Sequence, residues 1–292
     1  MVKGLIIKHL KELYYVKIYN NILICKARGN FRKKKIKPVV GDFVEVEVLE
    51  DNKGYISKIF DRKNLLIRPE ISNIDQLFLF ATIRNPSLNL YTLDKYLSMC
   101  EYMNIEVVIV LSKVDLAMTD EINNFKDIYT KAGYEIIEID NLNNFPKEDI
   151  LKKLNGKITA LSGASGVGKS SMINNLIKGL SIDVGSISNK TKRGKNTTRH
   201  VEIFEVSKDG FIFDTPGFDS FDMNFIDDEN ELKKYFKEFN NFKDCKFNNC
   251  NHINEPFCDV KNALSNNLIS ISRYNNYCKL FYELANRRKN KW

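Results

Sequence analysis

The chain has 292 residues, 43% of them hydrophobic, and a formal net charge of +8. That length allows two or three domains with a sizeable core. No stretch approaches the ~18 apolar residues of a membrane-spanning helix, and Met1-Val-Lys-Gly-Leu-Ile-Ile-Lys8 lacks the apolar centre of a signal peptide, so a soluble, cytoplasmic protein without membrane attachment is expected. The charge is unevenly placed: residues 1 to 68 carry sixteen Lys/Arg against seven Asp/Glu, and the rest is near balance. The basic partner surface is therefore expected at the N-terminal end.

That end reads as short strands punctuated by turns: Tyr15–Ile18, Ile22–Cys25, Phe43–Val48 and Gly54–Ile59. Phe43–Val48 alternates, with Val44, Val46 and Val48 on one face and Glu45 and Glu47 on the other, as a half-buried barrel strand should. Asn20-Asn21 and Lys53-Gly54 are expected as hairpin turns, and a five-stranded OB-like barrel accommodates the set. The segment Lys26 to Lys37 is a basic loop holding Phe31. Such a loop can track a nucleic-acid backbone while the ring stacks on a base, or it can be a solvated face.

From about residue 70 the pattern becomes α/β: a strand at Leu77–Phe80, a helix over Leu90–Tyr102, a strand at Val107–Leu111, a helix over Glu121–Ala132 and a strand at Glu135–Ile139. The strand Ile158–Leu161 and the helix Ser170–Ile177 follow, implying a mostly parallel sheet. Residues 223 to 292 read as polar and helical, with an aromatic-rich stretch from Tyr274 to Tyr282 and a basic tail. The expected domains are 1–68, 69–222 and 223–292.

Straight after Ile158–Leu161 stands Gly163-Ala164-Ser165-Gly166-Val167-Gly168-Lys169-Ser170, followed by Ser171, in the strand-to-helix setting of a P-loop. Its glycines let successive N–H groups turn inward to cradle phosphates, Lys169 places charge near the β and γ groups, and Ser170 can ligate Mg²⁺. Asp214-Thr-Pro-Gly217 follows the strand-like Phe211–Phe213, where Asp214 can hold Mg²⁺ through water and the Gly217 N–H can meet a γ-phosphate. Ser112-Lys113-Val114-Asp115 ends the strand Val107–Leu111. Alone these four residues are an ordinary polar strand end; beside a P-loop, Asp115 can accept from N1–H and the 2-amino group of guanine, a donor pair that adenine lacks. GTP and GDP are the expected nucleotides. In ordinary GTPases the base motif follows the P-loop, whereas here Asp115 precedes Gly163 by 48 residues, so the order is circularly permuted.

Cys245-x4-Cys250-x-His252-x5-Cys258 gathers three of the six cysteines and one of the three histidines within 14 residues. Thiolates and an imidazole suit tetrahedral zinc, and four protein ligands leave no open position, so one structural Zn²⁺ is expected. Disulfides explain the count less well, because three cysteines cannot pair evenly and Cys25, Cys100 and Cys278 are scattered.

Taken together, the chain resembles the RsgA (ribosome small subunit-dependent GTPase A) family of circularly permuted bacterial GTPases. The resemblance runs through Gly41-Asp42, Arg68–Gln76, the base motif, the P-loop, the switch run Arg193 to His200, Asp214 to Gly217, the zinc cluster and Arg273-Tyr274. It implies an OB barrel, a permuted GTPase domain and a helical zinc domain. It also implies GTP hydrolysis stimulated by the small ribosomal subunit during late maturation, contact with ribosomal RNA, and Mg²⁺ held by Ser170 with Thr197 or Thr198. A monomer is expected. Ser112 stands where GTPases most often carry asparagine, whose amide also braces the P-loop, so weaker guanine binding is expected. Asn196 stands where family members commonly carry histidine, the usual candidate for orienting the attacking water. No glutamine follows Gly217 to do so, and slow intrinsic hydrolysis is expected. The rival reading is a nucleotide-gated RNA-binding assembly chaperone with vestigial hydrolysis. A membrane-associated signalling GTPase lacks the lipidation signals it would need.

Overall fold

The computed structural model describes residues 1–29, 31, 36–67, 70–140, 143, 145–177, 203–207, 209–214 and 226–289. Alternation in the N-terminal strands resolves into a closed barrel of β1 (Val2–Leu10), β2 (Leu13–Ile18), β3 (Asn21–Ala27), β4 (Phe43–Val48) and β5 (Lys53–Ile59), in the order β1-β2-β3-β5-β4. The β3–β5 pairing is parallel, and β1–β4 closes the barrel antiparallel. Ile6, Val16, Cys25, Val44, Val46 and Ile56 fill the interior and are fully buried. Val48, expected on the same face, is the last residue of β4 and lies past the filled interior, half exposed. β1 is not evident in the sequence because its burial does not alternate: Gly4, Leu5 and Ile6 are buried in succession, and a bulge shifts the register between Ile6 and Lys8.

Both hairpin turns fall earlier than expected. Ile18 pairs with Asn21, leaving Tyr19-Asn20 as the first turn. Asp51 and Asn52, with φ of +59° and +56°, form the second, the left-handed pair that a type I′ turn requires. Gly54 lies in β5, where a Cβ would come within 2.7 Å of Val46 Cγ1. That glycine serves close packing rather than turning.

Gly41-Asp42 fastens the barrel to the following hairpin of β6 (Leu65–Ile67) and β7 (Glu70–Ser72). Asp42 is fully buried and accepts from Arg62 through both oxygens, at 2.7 and 2.8 Å, from the Ser72 hydroxyl at 2.6 Å and from the Val39 N–H at 2.8 Å. Gly41 has φ +93°, and a Cβ there would lie 2.2 Å from the Ser72 carbonyl oxygen. Only glycine fits.

A six-stranded sheet follows, built of β8 (Gln76–Ala81), β9 (Glu106–Ser112), β10 (Glu135–Ile139), β11 (Ile158–Ser162), β12 (Ile203–Ser207) and β13 (Gly210–Asp214), in the order β10-β9-β8-β11-β13-β12. β9–β10 and β11–β13 run parallel, and β12 is antiparallel to β13. Every residue of β8 and β11 is buried, which accounts for the absence of an alternating burial pattern in those segments. Among the described residues the α-helices are α1 (Leu90–Tyr102), α2 (Thr119–Lys131), α3 (Lys147–Leu154), α4 (Lys169–Leu176), α5 (Asp259–Ser265) and α6 (Ile271–Lys289). α1 begins where Asn89 accepts the Thr92 N–H at 3.0 Å, and α2 where Glu121 reaches back to the Met118 N–H at 2.8 Å. Among the described residues no helix is long and apolar enough to cross a membrane.

Compact packing divides the chain into two units. One comprises Met1–Leu77, Pro146–Ser165 and Lys169–Phe218; the other comprises Phe78–Phe145, Gly166–Gly168 and Asp219–Trp292. The second is organised around Arg273 of α6, only 1% exposed. Its guanidinium bonds both Glu238 oxygens at 2.8 Å and Asp94 Oδ1 of α1 at 2.7 Å. Tyr129 (3.0 Å) and Asn276 (2.6 Å) also donate to Asp94, and the Phe236 ring lies 4.7 Å from the guanidinium carbon. Burial works against the charge on Arg273, and Glu238 and Asp94 more than compensate, holding it ionised. Burial likewise pushes the Asp94 carboxyl upward against the pull of Arg273. Arg273→Met would strand two buried carboxylates, so we expect a loss of about 3–5 kcal/mol of stability, measured by denaturant titration. A loss below ~1 kcal/mol would show that the cluster is not a fastening point.

Candidate nucleotide and metal sites

β11 delivers the chain into the glycine-rich loop, and α4 leaves it. Gly163, Gly166 and Gly168 take φ of +137°, +79° and +98°, and this left-handed backbone is what turns a loop's amides toward one side. Ala164, Ser165 and Gly166 are exposed at the tip, and Val167 is buried as the loop's anchor. Lys169 opens α4 and arches back over the loop, its Nζ donating to the carbonyls of Gly163 (2.5 Å) and Ala164 (2.9 Å). Ser170 and Ser171, half buried, occupy the first turn of α4, where unpaired backbone N–H groups and the helix dipole favour phosphate.

The base motif reaches this loop through one side chain. Ser112, the last residue of β9 and 1% exposed, donates from its hydroxyl to the Val167 carbonyl at 2.5 Å. The brace that an asparagine amide would supply is thus made by a serine hydroxyl. Lys113 adopts φ +56°, and its Nζ donates to the Asn85 carbonyl at 2.7 Å. The 3₁₀ turn Val114–Leu116 then leaves Asp115 facing solvent.

At the end of β13, the register that pairs Leu161 with Asp214 sets Asp214 two residues before Gly163 along the neighbouring strand. Asn196, Thr197, Thr198 and Gly217 lie outside the described residues, as do Lys33, Lys34 and Lys35 of the basic loop. Phe31 is half-buried and packs against the barrel core.

The four expected metal ligands converge. Their ligand atoms lie within 4.8 Å of one another, and His252 Nδ1 is 3.6 Å from Cys245 Sγ, 3.5 Å from Cys250 Sγ and 3.3 Å from Cys258 Sγ. A tetrahedron with Zn–S of ~2.3 Å and Zn–N of ~2.0 Å has edges of about 3.5–3.8 Å, so the donors have the size and chemistry of a zinc site. The supporting bonds are specific: the Asp259 N–H donates to Cys245 Sγ at 3.3 Å, Lys233 Nζ to the Cys250 carbonyl at 2.8 Å, and the Tyr274 hydroxyl to the His252 carbonyl at 2.7 Å. His252 has φ +62°, a left-handed conformation.

The family model described as RsgA GTPase matches residues 59–224, and that described as RsgA N-terminal domain matches residues 3–56. The chain is 42% identical to the small ribosomal subunit biogenesis GTPase RsgA of Alkaliphilus metalliredigens, over 99% of this chain and 100% of the relative. The protein of the same name from Clostridium perfringens matches equally, at 42% with 99% and 100% coverage. The chain belongs to the RsgA GTPase family. Among solved structures, YjeQ from Thermotoga maritima superposes with a TM-score of 0.86 at 35% identity, covering 97% of this chain and 98% of that one. YloQ, described as a circularly permuted GTPase, superposes with a TM-score of 0.81 at 33% identity, covering 98% and 96%. As an RsgA GTPase the protein is a hydrolase acting on GTP.

Sequence reasoning singled out the glycine-rich loop, Ser112–Asp115 and the cysteine cluster but not the Asp94 and Glu238 carboxylates that bond Arg273. Asp94, Glu238 and Arg273 are 179 residues apart at the extreme, and no local spacing links them. Without metal, burial pushes the Cys250 thiol up to about 12, raises Cys258 and lowers His252. A metal ion must displace those thiol protons, and the neutral imidazole is ready to bind. We expect one zinc per chain by elemental analysis, and Cys258→Ser should lose metal and lower the melting temperature. Protein purified without chelator yet free of zinc, or a Cys258→Ser variant as heat-stable as the parent, would contradict the assignment.

Proposed function

We propose that the protein binds the small ribosomal subunit late in its maturation and hydrolyses GTP under stimulation by that subunit, turnover timing its departure. The observation that carries this reading is the bond from Ser112 to Val167, which ties the base-reading strand end to the phosphate loop. In the proposed roles, Asp115 accepts from N1–H and the 2-amino group of guanine, the backbone from Gly163 to Ser171 cradles the phosphates, and Lys169 supplies transition-state charge. Ser170 with Thr197 or Thr198, and Asp214 through water, hold Mg²⁺, which neutralises phosphate charge when bound. Gly217 senses the γ-phosphate and Asn196 orients water. The basic loop from Lys26 to Lys37 contacts ribosomal RNA, and the zinc site is structural. The protein acts as a cytoplasmic monomer without membrane attachment, its domains spanning 1–68, 69–222 and 223–292.

Guanine specificity is tested by calorimetry: GTP and GDP should bind with Mg²⁺ and ATP should not, and Asp115→Asn should shift preference to xanthosine nucleotides. Equal affinity for ATP and GTP would remove the guanine assignment. The catalytic reading is tested by multiple-turnover hydrolysis with and without small subunits, where a completed GTPase site is worth on the order of 10³ to 10⁵ in rate. Asn196→Ala should lower the stimulated rate while sparing GTP binding. Turnover indifferent to the subunit would leave an assembly chaperone with vestigial hydrolysis as the better account.

A further inference from the structure

In the first unit the barrel meets the sheet along an edge that is only partly filled. β1 lies against β12, the outermost strand of the sheet, and between them runs a cleft of about 280 Å³ walled by Ile7 and Ile22 of the barrel and Ile177, Ile203, Phe204 and Phe211 of the sheet side. Close packing would resist sliding of one body on the other, whereas an unfilled apolar seam offers little resistance. A polar contact crosses it. Lys17 of β2 forms an ion pair with Glu205 of β12, and its Nζ lies 5.4 Å from the centre of the Phe211 ring of β13.

The strands that Lys17 touches lead to the proposed nucleotide site. Glu205 pairs with Phe211, and Ile203 pairs with Phe213, the residue before Asp214. β13 in turn pairs with β11, which feeds the P-loop, through Leu161 and Asp214. A displacement of the barrel pulling on Glu205 therefore acts on a two-strand ribbon whose far end carries Asp214. The ion pair is half exposed, 18% for Lys17 and 46% for Glu205, so it adds little to stability. Its place across a loose seam suits it to transmission instead.

We propose that Lys17 and Glu205 are positioning residues that convey engagement of the barrel to the γ-phosphate end of the site, raising the rate of GTP hydrolysis in the bound state without contributing to binding. This rests on the proposed stimulation by the small ribosomal subunit. It names the link by which that stimulation crosses from barrel to sheet.

The test uses the full-length, zinc-loaded protein and purified small ribosomal subunits, with Lys17→Met, Glu205→Gln, Lys17→Glu, Glu205→Lys and the Lys17→Glu/Glu205→Lys exchange. Each single variant should lower the subunit-stimulated kcat by about threefold to fivefold, the range a half-exposed ion pair can carry. Unstimulated turnover, the KM for GTP, subunit affinity and melting temperature should stay at parental values. The exchange should recover most of the stimulated rate, which a merely structural or phosphate-binding role would not produce. Single variants as strongly stimulated as the parent would overturn the inference alone. Weakened subunit affinity in the Lys17 variants, unrecovered by the exchange, would also overturn it and assign Lys17 to direct contact with phosphate. A parent that subunits do not stimulate would defeat the functional reading, and this inference with it.

Discussion

The proposed nucleotide site depends on one buried hydroxyl. Ser112 ends β9, is almost fully enclosed, and spends its donor on the Val167 carbonyl of the glycine loop. A buried hydroxyl without a partner is costly, so the bond is self-enforcing: β9 must end where Val167 is, and Lys113, Val114 and Asp115 must then start from that point. The permuted order makes this constraint more important. The base motif and the phosphate loop are separated by α2, β10, α3 and β11 in the chain, and no short connection holds them together. A through-space bond takes the place that sequence proximity cannot fill.

Two further constraints have the same character. Asp42 satisfies Arg62, Ser72 and the Val39 N–H in a fully buried spot, fixing the barrel's exit into the β6–β7 hairpin. Arg273 joins α6 to α1 and to Glu238, one guanidinium bonded to two carboxylates. Buried ion clusters are poor sources of net stability, since desolvation offsets most of the attraction, but they tolerate only one arrangement of their partners. The zinc ligands add a third such point, and the Tyr274 hydroxyl bonded to the His252 carbonyl links it to the helix that carries Arg273. The second unit is held by directional chemistry at two adjacent places on α6.

Much of this was legible in the sequence where the signal is local. The P-loop spacing, the Cys–His spacing and the period-two alternation of β4 are short-range patterns, and the expected helix over Leu90–Tyr102 and strand over Glu135–Ile139 match the structure residue for residue. The failures are equally physical. β1 lacks alternation because of its bulge, and the glycine taken for a turn at Gly54 is needed for packing against Val46. Residue type alone did not show what Ser112 bonds to, since the Val167 carbonyl that accepts from its hydroxyl lies 55 residues away in the chain. Asp94, Glu238 and Arg273 are ordinary charged residues on polar helices until the fold brings them together.

The central claim is that the Ser112 hydroxyl holds the base-reading strand end to the phosphate loop, and calorimetric titration of GDP into Ser112→Ala, Ser112→Asn and the parent tests it most directly. Losing one hydrogen bond and leaving the Val167 carbonyl unsatisfied is worth about 1–3 kcal/mol, so Ser112→Ala should bind GDP roughly five- to a hundredfold more weakly. Ser112→Asn, which restores a donor, should stay within a few-fold of the parent. If Ser112→Ala binds GDP as tightly as the parent while remaining folded, the base motif does not depend on this bond and the account of the site is wrong.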